Sequence, residues 1–272
     1  MALLEINELN IVYHGKKKDS EIVSNVSLSV QKGECLCIVG ESGSGKTMTM
    51  KATMGLLDHN FSIKGTAMLN GIDLIKADKE TLRKMRGKNM TMIMQNPMVC
   101  FDSLYRIGYQ IKETFKEHTE WNDNEIYEKS IEILEKMQIT EPAEVLRKYP
   151  HQLSGGMLQR IMIGIAIAMN PDVLIADEPT TAIDTITQYE IMKEFQRLKE
   201  MGITMIFITH DLAVASMISD EIVVMNKGKV VDRGTFNEIK NNPKDDYTKA
   251  LVEQKMAVLS AFKKSIGGVC VD

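Results

Sequence analysis

No apolar run in this chain approaches the about 20 continuous residues of a membrane-spanning helix, which excludes a helical span of that kind in the sequence. The first residues, Met1 to Glu8, carry neither a basic segment nor a long apolar core. No secretory signal is read there, and a cytosolic protein is expected. Lys and Arg never form a long block. The densest run, Lys16-Lys17-Lys18, lies between two strand-like segments and reads as a solvated hairpin loop. With a net charge of -4, this speaks against nucleic acid as the main partner. Four cysteines without CxxC spacing exclude a zinc or disulfide framework. Cys35 and Cys37 read as a small buried pair on one strand face, and Cys270 as a free thiol near the end. There is no internal repeat. Methionine is in excess at 20, but most of it sits in apolar runs such as Met90 to Met94, where it fills core gaps rather than lining a metal path.

What the chain does have is a loop, Gly40-Glu41-Ser42-Gly43-Ser44-Gly45-Lys46-Thr47, with the spacing of a phosphate loop. Glycines let successive backbone N–H groups turn inward as an anion nest, and the helix that follows adds its positive end. Lys46 supplies a charge for β- and γ-phosphates, and Thr47 a hydroxyl for Mg²⁺. The flanks agree: Cys35 to Val39 reads as a buried strand and Met48 to Leu57 as a helix. The motif specifies a nucleoside triphosphate and leaves its use open.

With 272 residues, the chain has room for one large domain, or a core domain with a subdomain and a short tail. Strands are expected over residues 3–13, 22–30 and 62–69, with Asn70-Gly71 as a turn, then a short helix over 79–86 and a strand over 88–94. From Gln95 to about Met162 the pattern becomes helical. Asn122-Asp123-Asn124 caps a helix whose Ile126, Ile131, Leu134 and Met137 share a face, and Ser154-Gly155-Gly156 opens a mostly apolar helix that runs to Met169. After Pro171 strand and helix alternate: strands at 173–176 and 203–209, helices at 185–200 and 211–217, and a hairpin at 222–231. Thr235 with Glu238 then forms a capping box. The fold class is α/β, with an antiparallel start and a helical insertion in a parallel core.

Leu153-Ser154-Gly155-Gly156-Met157 is a second helix start with a hydroxyl cap and two glycines. Taken alone it could be a capped helix. Together with Asp172 to Pro179, an apolar strand ending in Asp177-Glu178, it resembles the signature and Walker B motifs of ATP-binding cassette proteins. The resemblance runs to about residue 251 with every motif in order. It implies a P-loop NTPase core of that type over 1–251, a helical subdomain at about 96–163, and a short tail, 252–272.

The resemblance also implies roles. ATP would be bound by Tyr13, stacking on adenine, by Gly40, Glu41, Ser42, Gly43, Ser44, Gly45, Lys46, Thr47 and Met48, and by Gln95 and Asp177. Ser154, Gly155 and Gly156 would complete the site of a facing subunit. Thr47, Gln95 and Asp177 would organise Mg²⁺, Glu178 would act as general base, and His210 would sense the γ-phosphate. Thr180 to Asp184 resembles the interface loop of the family. His151 to Met157, Ile175 to Ala182 and Asp246 to Leu251 resemble the peptide/nickel importer branch, and Met94-Gln95-Asn96-Pro97 its nickel and metallophore members. The segment Met98 to Leu104 lacks the Ser-Leu-Asn-Pro of peptide members, so a nickel or other metal chelate is the first cargo and a peptide the alternative. The implied partners are two transmembrane permease subunits, a second cassette ATPase (a paralogue or an identical chain) and an extracytoplasmic solute-binding protein. The expected location is the cytoplasmic membrane face. A soluble cassette working on ribosomes or DNA is the more distant reading, disfavoured by the single cassette and the acidic balance.

Overall fold

The computed structural model describes residues 2–180 and 185–254. In chain order, β1 (Ala2–His14), β2 (Asp19–Gln31) and β3 (Cys35–Val39) lead into α1 (Lys46–Thr53). Then come β4 (Phe61–Leu69), β5 (Ile72–Asp73), α2 (Lys79–Met85) and β6 (Met90–Ile93). A helical stretch follows: α3 (Pro97–Cys100), α4 (Ile107–His118), α5 (Asp123–Lys136), α6 (Pro142–Val145) and α7 (Gly155–Ala168). The last part holds β7 (Val173–Asp177), α8 (Thr185–Glu200), β8 (Thr204–Thr209), α9 (Leu212–Ile218), β9 (Glu221–Asn226), β10 (Lys229–Gly234) and α10 (Phe236–Asn241), and residues 246–254 are again helical.

Two sheets organise the described residues. One is antiparallel, in the order β2-β1-β4-β5; the other runs β10-β9-β3-β8-β7-β6 and is parallel except for the β9–β10 hairpin. The inward residues of β1 are Leu4, Ile6, Leu9 and Ile11, a period of two that slips once. The slip falls at Glu8, where φ is 50° and the pairing to β2 shifts between Ile6 and Leu9, so a bulge absorbs it.

The parallel strands are covered on both faces, as their unbroken apolar runs require. Cys35, Cys37 and Val39 of β3 face one core with Phe207 of β8 and Phe195 of α8, while Leu36 and Ile38 face the other with Ile206 and Ile208. Cys35 and Cys37 are therefore the buried pair the sequence suggested, and burial holds the Cys37 thiol well above its usual pKa. Helix starts follow local chemistry. Asn122 and Glu125 form a capping box at α5, Thr235 and Glu238 another at α10, and the Ser154 hydroxyl accepts the Met157 N–H at 3.2 Å to start α7.

One boundary of α1 differs from expectation, its end. Helix α1 begins at Lys46, directly on the loop, because Gly45 at φ 101° is its cap; it ends at Thr53 rather than Leu57, because Gly55 adopts φ 63°. Of the interface loop read at Thr180 to Asp184, residues 181–184 lie outside the described residues, as does the tail from 255.

Candidate active site

Strand register assembles the site. Val39 of β3 pairs with Thr209 of β8, Ile208 with Asp177 of β7, and Ala176 with Ile93 of β6. The residues that leave these strands at their C-terminal ends are Gly40, His210, Glu178 and, just beyond β6, Gln95. Four sequence-distant motifs thus emerge on one sheet edge, where parallel α/β sheets bind ligands. A cavity of about 690 Å³ opens there, lined by Ser44, Lys46, Gln95, Glu178 and His210 among others.

The loop is shaped by what cannot fit. A Cβ on Gly40 would stand 2.2 Å from the Met225 carbonyl oxygen of β9, and Gly45 needs a φ of 101° that L side chains rarely adopt. The Gly228 N–H, in the β9–β10 turn, donates to the Ser44 carbonyl at 3.0 Å and holds the loop from outside. Inside, the Lys46 side chain is 4% exposed, and its ammonium donates to the carbonyls of Gly40 at 2.7 Å and Glu41 at 2.9 Å. The buried Ser44 hydroxyl has no partner among the described residues. A buried cation, an orphaned hydroxyl and the start of α1 converge on the cavity, and this donor set fits a phosphate chain.

Opposite the lysine stands an acid cluster. Glu178 accepts from Gln95 Nε2 at 3.2 Å, lies 3.2 Å from His210 Nδ1 and stands 4.0 Å from Lys46 Nζ. Its backbone sits at φ 46°, a left-handed setting that costs a non-glycine residue energy and is found where geometry serves a site. Asp177 accepts from the Thr47 hydroxyl at 2.8 Å. Such a paired hydroxyl and carboxylate suit a hard divalent cation such as Mg²⁺.

Burial lowers the Lys46 pKa, against the pull of Glu178, Asp177 and Glu41. Burial also raises that of Asp177, helped by the negative charge of Glu178 and opposed by the Thr47 hydrogen bond. An acid with a raised native pKa costs stability once pH climbs past its unfolded value of about 3.9. Asp177→Asn is therefore expected to raise the nucleotide-free thermal midpoint by a few degrees at neutral pH. The gain should vanish as acid protonates the parent's Asp177. Melting curves from pH 4 to pH 8 check the sign, and a midpoint at or below the parent's at neutral pH would refute it.

The other residues named from sequence divide between the cavity and its surroundings. Glu41, Ser42, Gly43, Gly45, Thr47 and Met48 line the cavity. Tyr13 does not; it is 39% exposed and its ring sits 5.1 Å from that of Phe61. Ser154 and Gly155 are exposed on α7, Gly156 is half-buried, and none of the three lines the cavity. Sequence reasoning missed Ile22, Leu251 and Gln254, which also line it, and Tyr247, whose hydroxyl accepts the Glu41 N–H at 2.9 Å. Asp246 to Leu251 carried a branch resemblance, but no local pattern places it beside a loop 206 positions away.

A family model described as ABC transporter matches residues 23–181. The chain is 39% identical, over 98% of both chains, to the metal-staphylopine import system ATP-binding protein CntD of Staphylococcus aureus. It is 40% identical to the dipeptide transport ATP-binding protein DppD of Haemophilus influenzae, over 93% of this chain and 77% of that protein. Among solved structures, the ATP-binding cassette MJ0796, a dimer in a post-hydrolysis state with ADP and Pi, superposes with a TM-score of 0.76 at 25% identity. That match covers 86% of this chain and 98% of the other.

Proposed function

The chain belongs to the ABC transporter family of ATPases, and on that premise we propose that it drives import of a small solute, a metal chelate before a peptide. The observation that carries the reading is the convergence of Lys46, Thr47, Gln95, Glu178 and His210 on one cavity beside the Thr47–Asp177 hydrogen bond. ATP is the substrate. Lys46 and the amides from Gly40 to Met48 neutralise its phosphates, and Ser44 offers its unpartnered hydroxyl. Thr47 and Asp177, with Gln95, would hold Mg²⁺, which when bound neutralises charge on the β- and γ-oxygens.

Glu178 takes the proton of the attacking water as general base. His210 and Gln95, both against the Glu178 carboxylate, orient it and register whether a γ-phosphate is present. Tyr13, at the end of β1, offers a ring for the adenine.

The signature at Ser154 to Gly156 does not line this chain's own cavity, so it serves a facing cassette, and a facing cassette's signature serves this one. The dimeric MJ0796 structure supports that pairing. Among the described residues no helix is long and apolar enough to cross a membrane, and the likeness to ATP-binding proteins of import systems supports separate membrane partners. The proposed assembly has two permease subunits, a second cassette (a paralogue first) and a solute-binding protein outside, with this chain peripheral on the cytoplasmic side. Closure of the cassettes moves the permeases, and hydrolysis resets them.

The metal-chelate cargo rests on the relative matched over 98% of both chains. Uptake assays in cells lacking only this chain test it. Labelled nickel-chelate accumulation should fall to background and return on complementation, with dipeptide uptake unaffected. Loss of dipeptide uptake alone would reverse the assignment.

A further inference from the structure

The mechanism above leaves residues 246–254 without a role, yet they form part of the cavity wall. Just ahead of them, the Lys244 N–H donates to the buried Asp232 carboxylate at 2.7 Å, and the Tyr247 N–H donates to Asp245 Oδ1 at 2.9 Å. Thr248 is fully buried, Leu251 and Val252 join the core, and the Tyr247 ring packs against it. From this fixed base Leu251 and Gln254 face the cavity.

The Tyr247 hydroxyl reaches one particular peptide unit. Its oxygen accepts the Glu41 N–H at 2.9 Å, and the carbonyl of that same unit, Gly40 C=O, accepts from Lys46 Nζ at 2.7 Å. One peptide plane is thus held at its N–H end by Tyr247 and at its oxygen by the lysine. Hydrogen bonds at both ends of an amide polarise and strengthen one another. The next carbonyl, Glu41 C=O, also accepts from Lys46, at 2.9 Å. Turning the Gly40–Glu41 peptide would withdraw an acceptor that fixes the ammonium.

We propose that Tyr247 is a positioning residue of the nucleotide site, which sets the Gly40–Glu41 peptide and through it the place of the Lys46 ammonium. The inference rests on reading the loop as the ATP site and deepens that reading: the segment after α10 becomes a wall of the site. Pre-organisation of this kind acts on binding. It does not touch the water or the general base.

Tyr247→Phe keeps the ring against the core and removes only the hydroxyl, and with it the acceptor for the Glu41 N–H. In the full-length chain, the Kd for a fluorescent ATP analogue should rise about three- to tenfold, the worth of one hydrogen bond. In the assembled transporter KM should rise by the same factor with kcat unchanged, and the thermal midpoint of the nucleotide-free protein should not move. An unchanged Kd would overturn the proposal. So would a joint fall of kcat and thermal midpoint, which would mark Tyr247 as a packing residue only. If the parent chain itself bound no nucleotide, the ATP-site reading would fall first, and the inference with it.

Discussion

Glu178→Gln is expected to bind ATP as the parent does and to lose turnover by roughly 10²–10⁴-fold, the range a positioned general base contributes. The substitution keeps length and volume. A glutamine oxygen still accepts from Gln95, so the geometry beside the cavity survives. What goes is the only property the proposed role uses, the capacity to take a proton. The Glu178 charge also draws the buried Lys46 towards its protonated form, against the cost of burial. In the variant the phosphates of ATP take over that task, which is why affinity should hold. Equilibrium nucleotide binding and phosphate release together decide it. Parent-rate hydrolysis would move the base to another residue.

Gly155→Asp should have an effect of similar size for a different reason. A Cβ added at Gly155 meets nothing within 4 Å, so this chain has space for a side chain there. The position is the first of α7, after the Ser154 cap, where a carboxylate favours the helix dipole. The isolated variant should therefore fold at least as stably as the parent and bind ATP equally well. Turnover should nevertheless fall by on the order of a hundredfold or more, because a negative charge would face the phosphates held by the other cassette. A variant with full turnover would remove the signature from the site. One that lost both stability and ATP binding would make it a structural helix start.

The contrast between these residues shows what was legible in the sequence. The loop at 40–47 and the acids at 177–178 are contiguous, and their chemistry depends on spacing along the chain, which a sequence displays. The buried strands were legible because both their faces are covered, which leaves unbroken apolar runs such as Val173 to Ala176. Convergence of the four strand ends was less so. Register decides it, and the match of Val39 to Thr209 is a property of the sheet. Contacts that constrain the loop from outside carry no local signal at all. Met225 crowds Gly40, Gly228 donates to Ser44, and Tyr247 accepts from Glu41, each across most of the chain.

In the proposed assembly the phosphate loop at 40–47 is half of a site, and the rest comes from another cassette. The most direct measurement is ATP hydrolysis per chain as a function of chain concentration, with sedimentation to record association. A shared site requires little turnover while the chain is monomeric and a rate per chain that rises as cassettes pair, by self-association or on addition of the second cassette. Full turnover per chain at dilutions where sedimentation shows only monomer would contradict it.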